Sequence, residues 1–499
     1  MKECCIFLSL PFMKFLKVFL LIFVLNQLRC NAQTTDIPLL SPAQAQSDVS
    51  FFEKLFFSTH VDLALVTDTS LLRFRIDTLR SGLDDSISAT ELYRRLTPVF
   101  SSVRDIHCSL SLPAESNDYL QAGNLYLPLY VFCSNRELFI KGDFFDSCMV
   151  GGRIISINDV QSDSIFDILM LHSASEGENI HSREKIAEYH FPSVYPLYFN
   201  VDSVNTILIE YNGDTLNNFL PGVDPKLSLY SDYFENGFDE QKHPYQFGFT
   251  DDKTIAYIRI ESFMGGNPGE YRYFLKNAFL HINRLEPVAL ILDLRHNGGG
   301  FADYGKFLTR FLMKERYTYV HNLVSRSSKI AQREIIRQTP FQPEIVRLLQ
   351  YTFGNKAMRG LWNKKEGLID TTYEKQVKPF RSGKVYSGFL VVMFDGMSAS
   401  TTGLVCNTLR KRPNTLFTGL PAGCTVSGTF GQPTEFELPN SGIIGYISIL
   451  RFNQDTNPSV LTPIMPDVEL PESASDLIFE TDSQLNSVLK LIREKIREK

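Results

Sequence analysis

Residues 287–300 read Pro287-Val288-Ala289-Leu290-Ile291-Leu292-Asp293-Leu294-Arg295-His296-Asn297-Gly298-Gly299-Gly300. A continuous apolar run that stops at polar, glycine-rich residues reads as a strand buried on both faces. Three consecutive glycines allow backbone conformations that other residues resist. They also bare amide N–H groups toward anything bound there, which is what a developing oxyanion needs. Behind them, residues 302–312 carry Phe307, Leu308, Phe311 and Leu312 at helical spacing. Farther on, a second apolar run at 389–394 leads into Asp395-Gly396-Met397-Ser398-Ala399-Ser400-Thr401-Thr402 and a helix expected over 400–409. A serine placed there lies near a helix N-terminus, whose dipole favours an alkoxide or a tetrahedral oxyanion, although serine is also a common N-cap. Strand–turn–helix twice over predicts an α/β core, with a further strand at 254–260.

Upstream, residues 38–110 are helical in pattern. Ser88-Ala89-Thr90-Glu91 reads as a capping box, with Leu92, Leu96, Val99, Phe100 and Val103 behind it and Pro98 as a kink. From 119 to 218 short strand-like runs take over, at 126–133, 137–141, 153–158 and 206–211, with a helix at 165–171. Asn212-Gly213 is a hairpin turn signal. Residues 217–247 are polar and marked by proline and glycine, as in a linker.

The chain has 499 residues, enough for about three domains at roughly 150 residues each. With 43% apolar and 21% charged residues it has the composition of a packed globular protein, which excludes disordered and fibrous classes. Lys+Arg is 50 against Asp+Glu 56, a net charge of −6, and no basic block occurs, so nucleic acid is not an expected partner.

Near the N-terminus, Lys14 and Lys17 precede an apolar run at 18–25 and a Cys30-Asn31-Ala32-Gln33 stretch. That pattern predicts a secretory signal peptide over 1–32, starting at Met1 or Met13, and it is too short for a membrane span. Removing it takes away a net +3 and leaves a mature charge of −9. No integral membrane span is expected in the mature chain, and the sequence sets no oligomeric state. Five cysteines remain, Cys108, Cys133, Cys148, Cys406 and Cys424, with no CxxC pair. They read as free and buried, not as a disulfide framework or a zinc site.

Asp-Leu-Arg-x-Asn-Gly-Gly-Gly at 293–300, followed by Ser-Ala-Ser at 398–400 after a buried strand, resembles the tail-specific (C-terminal processing) serine peptidase family. The likeness extends to Gly419–Gly423, to Glu437-Leu438-Pro439-Asn440-Ser441-Gly442 and to Met465-Pro466-Asp467. Residues 151–159 resemble the Gly-x-Ile-x-x-Ile-Asn-Gly of the family's PDZ-like domain, and 103–110 the Leu-x-Asp-Gly-His-Thr segment of its tricorn-like branch. The resemblance implies an α/β (α+β overall) fold. It has a crotonase-like ββα catalytic core over 248–480, a PDZ-like β-rich domain over 116–220 and an N-terminal helical segment over 33–115. A linker over 221–247 and a C-terminal helical tail over 481–499, expected to be solvated, complete the division. It further implies endopeptidase activity on peptide or protein substrates, with Ser400 as nucleophile, Ser398 structural, and an oxyanion hole from Thr401 with Gly298 or Gly299. No cofactor and no metal is implied.

Two departures from the family pattern bear on the mechanism. No lysine stands in 424–432, where Ser-Lys members carry their base. The tricorn-like branch uses a histidine from the N-terminal segment, which points to His107. The family's acidic residue before Pro466-Asp467 is replaced by Val460-Leu461-Thr462, leaving Glu437, Asp455 or Asp105 to orient the imidazole. His296 is a further candidate base or an incidental residue. The expected function is a secreted serine endopeptidase, periplasmic, cell-envelope or extracellular. The alternative is a catalytically inactive member of the same fold that binds peptide or lipid. N-terminal sequencing of the mature protein is expected to begin at Gln33; any other start overturns the cleavage site.

Overall fold

The computed structural model describes residues 39–113, 116–117, 122–224, 244–264, 267–337, 358–362, 365–455, 457 and 459–497. The expected signal segment and the middle of the expected linker lie outside the described residues.

The apolar run of the first turn becomes the strand Ala289–Asp293, buried at every position. It lies inside a six-stranded sheet ordered Val468–Glu469, Thr415–Gly419, Phe389–Phe394, Ala289–Asp293, Ile255–Ile260 and Tyr245–Phe249. All neighbours are parallel except the last pair. Alternate residues point to opposite faces of a strand. Leu290, Leu292, Val392 and Phe394 accordingly meet Tyr271, Phe279 and Ile282 of the helix Pro268–Leu285, together with Leu308, Leu404 and Val405. Ala289, Ile291, Val391 and Met393 face the other way and are covered by Val488 and Ile492 of the helix Ser483–Arg497.

That second layer corrects the expectation of a solvated tail over 481–499. A parallel sheet apolar on both faces needs a cover on each, and the terminal helix supplies one of them. Its entry is fixed by charge: Arg295 Nη1 donates to Asp482 Oδ1 (2.9 Å) and Gln484 Oε1 (2.8 Å), and Nη2 to Asp482 Oδ2 (2.7 Å).

A second sheet, ordered Ser109–Ser111, Ile444–Asn453, Asn322–Arg326 and Ile369–Tyr373, has Gly428–Glu437 also paired to Ile444–Asn453. Phe52 and Phe56 of the helix Pro42–Thr59 and Phe100 of the helix Ala89–Ser101 pack on Phe430, Phe436 and Ile447 of this sheet. The N-terminal segment is therefore knitted into the core, and its own strand Ser109–Ser111 pairs antiparallel with 444–446. Its capping box is half formed: Ser88 accepts from the Glu91 amide, while Glu91 turns to Arg94 and Arg95. Pro98 sits inside its helix.

The third sheet orders Leu129–Ser134, Glu137–Asp143, Arg153–Ile157, Val204–Tyr211 and Asp214–Pro221, with Val160–Gln161 beside Arg153–Ile157. Asn212 (φ 54°) and Gly213 (φ 88°) make the expected two-residue hairpin turn. Residues 217–221 belong to its second strand and 245–247 to the central sheet, so the linker expected over 221–247 is shorter at both ends. The helix Ile180–Tyr198 was not among the expected elements, and it carries Pro192 and Pro196, residues that ordinarily break a helix. Burial of Ala187, Phe191, Val194 and Tyr195 against this sheet outweighs the two lost backbone hydrogen bonds. The five cysteines are free, and Cys148 is half-buried where the other four are buried. Among the described residues no helix is long and apolar enough to cross a membrane.

Truncating the tail's contact with the sheet, by Ile492→Ala, is expected to cost about 2–5 kcal/mol. Urea unfolding measures it, and an unchanged midpoint would return the tail to a solvated role.

Candidate active site

The two turns lie side by side at the carboxyl ends of neighbouring strands. Asn297 is the pin between them. Its side-chain amide donates to Ile260 O (2.8 Å), its Oδ1 accepts the Gly299 amide (2.9 Å), and its carbonyl accepts the Ala399 amide (3.1 Å). Gly299 has φ 103°, and a Cβ there would stand 2.6 Å from Ser400 Cβ and 3.0 Å from Thr401 N. Only glycine fits between that backbone and the serine. Thr401 ties the turns again through its hydroxyl, which donates to Gly300 O (2.6 Å).

Ser400 precedes the helix Thr401–Leu409 with φ 55° and ψ −121°. A non-glycine residue in that region carries strain of about 1–3 kcal/mol and persists only where its surroundings enforce it. Among the described residues its hydroxyl is engaged by no protein group. It opens on a cleft of about 290 Å3 lined by Gly300, Phe301, Thr401, Thr429 and Phe452 among others. Ser398 differs: its hydroxyl donates to Leu294 O (2.8 Å) and accepts from the Asp395 amide (3.0 Å), so it is buried as a brace.

The oxyanion candidates separate in the same way. The Gly299 amide is already bonded to Asn297, which removes it from the hole expected in the sequence. The amides of Gly298 and Thr401 have no hydrogen-bond partner among the described residues, and Gly298 is exposed.

His107 occupies the turn between the helix Ala89–Ser101 and the strand Ser109–Ser111. Asp105 Oδ1 accepts its backbone amide (2.9 Å) and lies 3.3 Å from its Nδ1. Asp105 Oδ2 receives His60 Nε2 (3.0 Å). Burial opposes the Asp105 charge, but the bonds from His107 and His60 hold its carboxyl well below the usual carboxylate range. Of the three acids open in the sequence, Asp105 therefore faces His107. Glu437 pairs with Arg337, and Asp455 lines a different cavity.

A fourth acid was missed. Glu176 Oε1 lies 3.7 Å from His107 Nδ1 and accepts from the Thr429 hydroxyl (2.5 Å) and the Phe430 amide (2.8 Å). Burial pushes its carboxyl up to about 7, against the lowering effect of His107. No motif surrounds it, and only the fold brings residue 176 beside residue 107. Burial lowers the His107 imidazole while Asp105 and then Glu176 raise it, and the outcome is above the ordinary value. His107 and Ser400 make no direct hydrogen bond. Glu176, beside His107, accepts from Thr429, which lines the cleft at Ser400, and Cys424 Sγ donates to the Ser400 carbonyl (3.7 Å). Among the described residues, three groups of side chains lie close enough to share an ion: His60, Asp105 and Cys108; Asp105, His107 and Glu176; and His296, Asp395 and Glu472. Each is accounted for by contacts among its own members, and no metal is assigned.

Residues 254–470 match the model of peptidase family S41. They form a peptidase family S41 domain. The serine-type, tail-specific peptidases are thus the family of the core, and the class of enzyme is a serine-type hydrolase acting on peptide or protein. Among solved structures, mature CPAF complexed with lactacystin is similar at 14% identity and TM-score 0.64, covering 92% of this chain and 99% of that one. The photosystem II D1 C-terminal processing protease follows at 13% identity and TM-score 0.40, covering 86% and 93%. The tricorn protease has 13% identity and TM-score 0.42, covering 91% of this chain and 37% of that one. No curated protein matches the sequence. The likeness to CPAF extends the shared fold beyond the S41 domain to nearly the whole chain.

In this S41 domain, the methyl of Gly299→Ala would push the serine turn away and displace the Thr401 amide, so the rate of Ser400 acylation is expected to fall by about a hundredfold or more, as when an oxyanion donor is lost. Gly298→Ala keeps its amide and meets open space, so it should stay within a few-fold of wild type. Equal effects of the two, measured with a fluorophosphonate probe, would put the oxyanion hole elsewhere.

Proposed function

We propose that this chain is an exported serine endopeptidase in which Ser400 is the nucleophile and His107 the general base. Ser400 Oγ attacks a peptide carbonyl and passes its proton to His107. The Gly298 and Thr401 amides, with the dipole of the helix Thr401–Leu409 behind them, bind the oxyanion. His107 then returns the proton to the leaving amine as the C–N bond breaks, and water resolves the acyl-enzyme by the same route. Asp105 orients the imidazole, and Glu176 adds a second carboxylate to its field.

The observation that carries this reading is the strained Ser400 backbone, held over a glycine turn at a helix N-terminus with its hydroxyl left free. A structural serine needs none of these features. Export rests on the signal pattern at 1–32, which supports activity in the periplasm, the cell envelope or outside the cell. The β-rich module fits a PDZ-like role, capturing an extended peptide by strand addition at a sheet edge.

One observation favours the second reading, an inactive member that binds peptide or lipid. Two carboxylates raise His107, and a protonated imidazole cannot accept the serine proton. The pH profile separates the readings. Endopeptidase activity is expected to rise with pH as His107 deprotonates, with a midpoint above the ordinary imidazole value of about 6.5. Glu176→Gln removes one raising charge and should move that limb to lower pH, while Ser400→Ala abolishes both turnover and fluorophosphonate labelling. Labelling that survives Ser400→Ala, or no turnover of any peptide at any pH, would overturn the enzymatic reading.

A further inference from the structure

His296 lies between the two turns and takes no part in the chemistry above. It is exposed and left-handed (φ 63°). Its backbone amide donates to both oxygens of Asp395 (3.1 and 3.0 Å), and its Nδ1 lies 2.7 Å from Asp395 Oδ2. Asp395 is fully buried at the head of the nucleophile turn. It also accepts the Met397 amide (3.0 Å), and its own amide donates to the Ser398 hydroxyl (3.0 Å), so its position sets the path of the chain into Ser400. On the far side of the ring, Nε2 is 4.0 Å from Glu472 Oε1, a buried oxygen with no hydrogen-bond partner. The other Glu472 oxygen receives Lys185 Nζ (2.7 Å), and Lys185 also pairs with Glu188 (2.8 Å). Lys185 belongs to the helix Ile180–Tyr198, whose first residues touch the nucleophile turn, since a Cβ on Gly396 would meet His181 O at 2.4 Å.

We propose that His296 is a positioning residue of the peptidase. Charged, it ties the glycine turn to the serine turn through Asp395 and to the Glu472–Lys185 pair, and so keeps the Gly298 and Thr401 amides in register around the oxyanion. The proposal rests on the Ser400 reading given above.

A neutral imidazole can donate to Asp395 from Nδ1 but carries no charge to attract Glu472 Oε1, which at 4.0 Å lies beyond hydrogen-bond reach. A protonated ring carries an N–H on both nitrogens and a positive charge that acts on both carboxylates. The charged groups facing it are Asp395 from the serine turn, Glu472 from the segment after the last strand of the central sheet, and Lys185 from the module helix. Asp395 is the strongest influence and raises the His296 pKa; burial lowers it, Glu472 raises it and Lys185 lowers it, with a net rise. The contribution of the charged ring is therefore full below the ordinary histidine value and fades as pH rises through the raised one.

The test is the second-order rate of fluorophosphonate labelling of the full chain across about pH 5 to pH 9, a range that spans imidazole titration. Wild type is compared with His296→Asn, which keeps the backbone amide and a short neutral donor. Protonation of His107 slows both proteins alike and cancels in their ratio. The ratio of wild type to His296→Asn is expected to be about fivefold at the acid end, the margin of a charged over a neutral hydrogen bond, and to approach one at the alkaline end. Glu472→Gln should give the same pH-dependent loss in smaller measure. A ratio that does not change with pH, at any size, overturns the proposal while leaving Ser400 in place. Labelling absent from wild type at every pH overturns the Ser400 reading and this proposal together.

Discussion

Everything at the site depends on the closeness of two backbones. Gly299 runs so near Ser400 and Thr401 that a single methyl group would not fit between them. That approach turns two ordinary strand ends into one site. It holds the serine in a strained, left-handed conformation and leaves two amides beside it free. Asn297 makes the approach possible by absorbing, with its one side chain and one carbonyl, hydrogen bonds that the crowded turn could not otherwise satisfy. Asp395 does the same from the other turn.

The parallel sheet that aims these turns is apolar on both faces, and each face draws in a distant part of the chain. Helices at 268–285, 302–309 and 401–409 cover one side. The last helix covers the other and is anchored by Arg295, the residue just before His296. Tail and catalytic turn are in this way one mechanical unit. His107, the proposed base, comes from an N-terminal segment that shares a phenylalanine-rich core with the second sheet. The loop before the helix Ile180–Tyr198 then adds Glu176. Four stretches far apart in sequence therefore meet around the cleft; burial raises the carboxyls of both Asp105 and Glu176, and their different partners displace them in opposite directions. Asp105 receives bonds from two imidazoles, whereas Glu176 receives only a hydroxyl and an amide for the same loss of water.

The parts legible in the sequence were those set by local pattern. The strand Phe389–Phe394 has the expected bounds, and Ala289–Asp293 lies within residues of its expected place. The hairpin at Asn212-Gly213 follows from the φ > 0 requirement of its two residues. Helix Ile180–Tyr198 was not read from the sequence; it contains two prolines, which ordinarily break helices, and the packing of Phe191 and Tyr195 sustains it. The terminal helix read as solvated because its apolar residues alternate with charges; a stripe of that kind does not announce what it will cover. The Gly299 amide looked free because nothing in a Gly-Gly-Gly run reveals that the preceding asparagine will fold back to take it.

By itself, the sequence determined the α/β core, the two turns, and the residue types able to perform acyl transfer there. These follow from periodicity and from the conformational freedom of glycine, which are properties of neighbouring residues. Tertiary structure alone decided which amides are free, which carboxylates flank His107 and what closes the lower face of the sheet. Such choices depend on distances between segments that are remote in the chain, and on the desolvation they impose on one another, which no local pattern encodes.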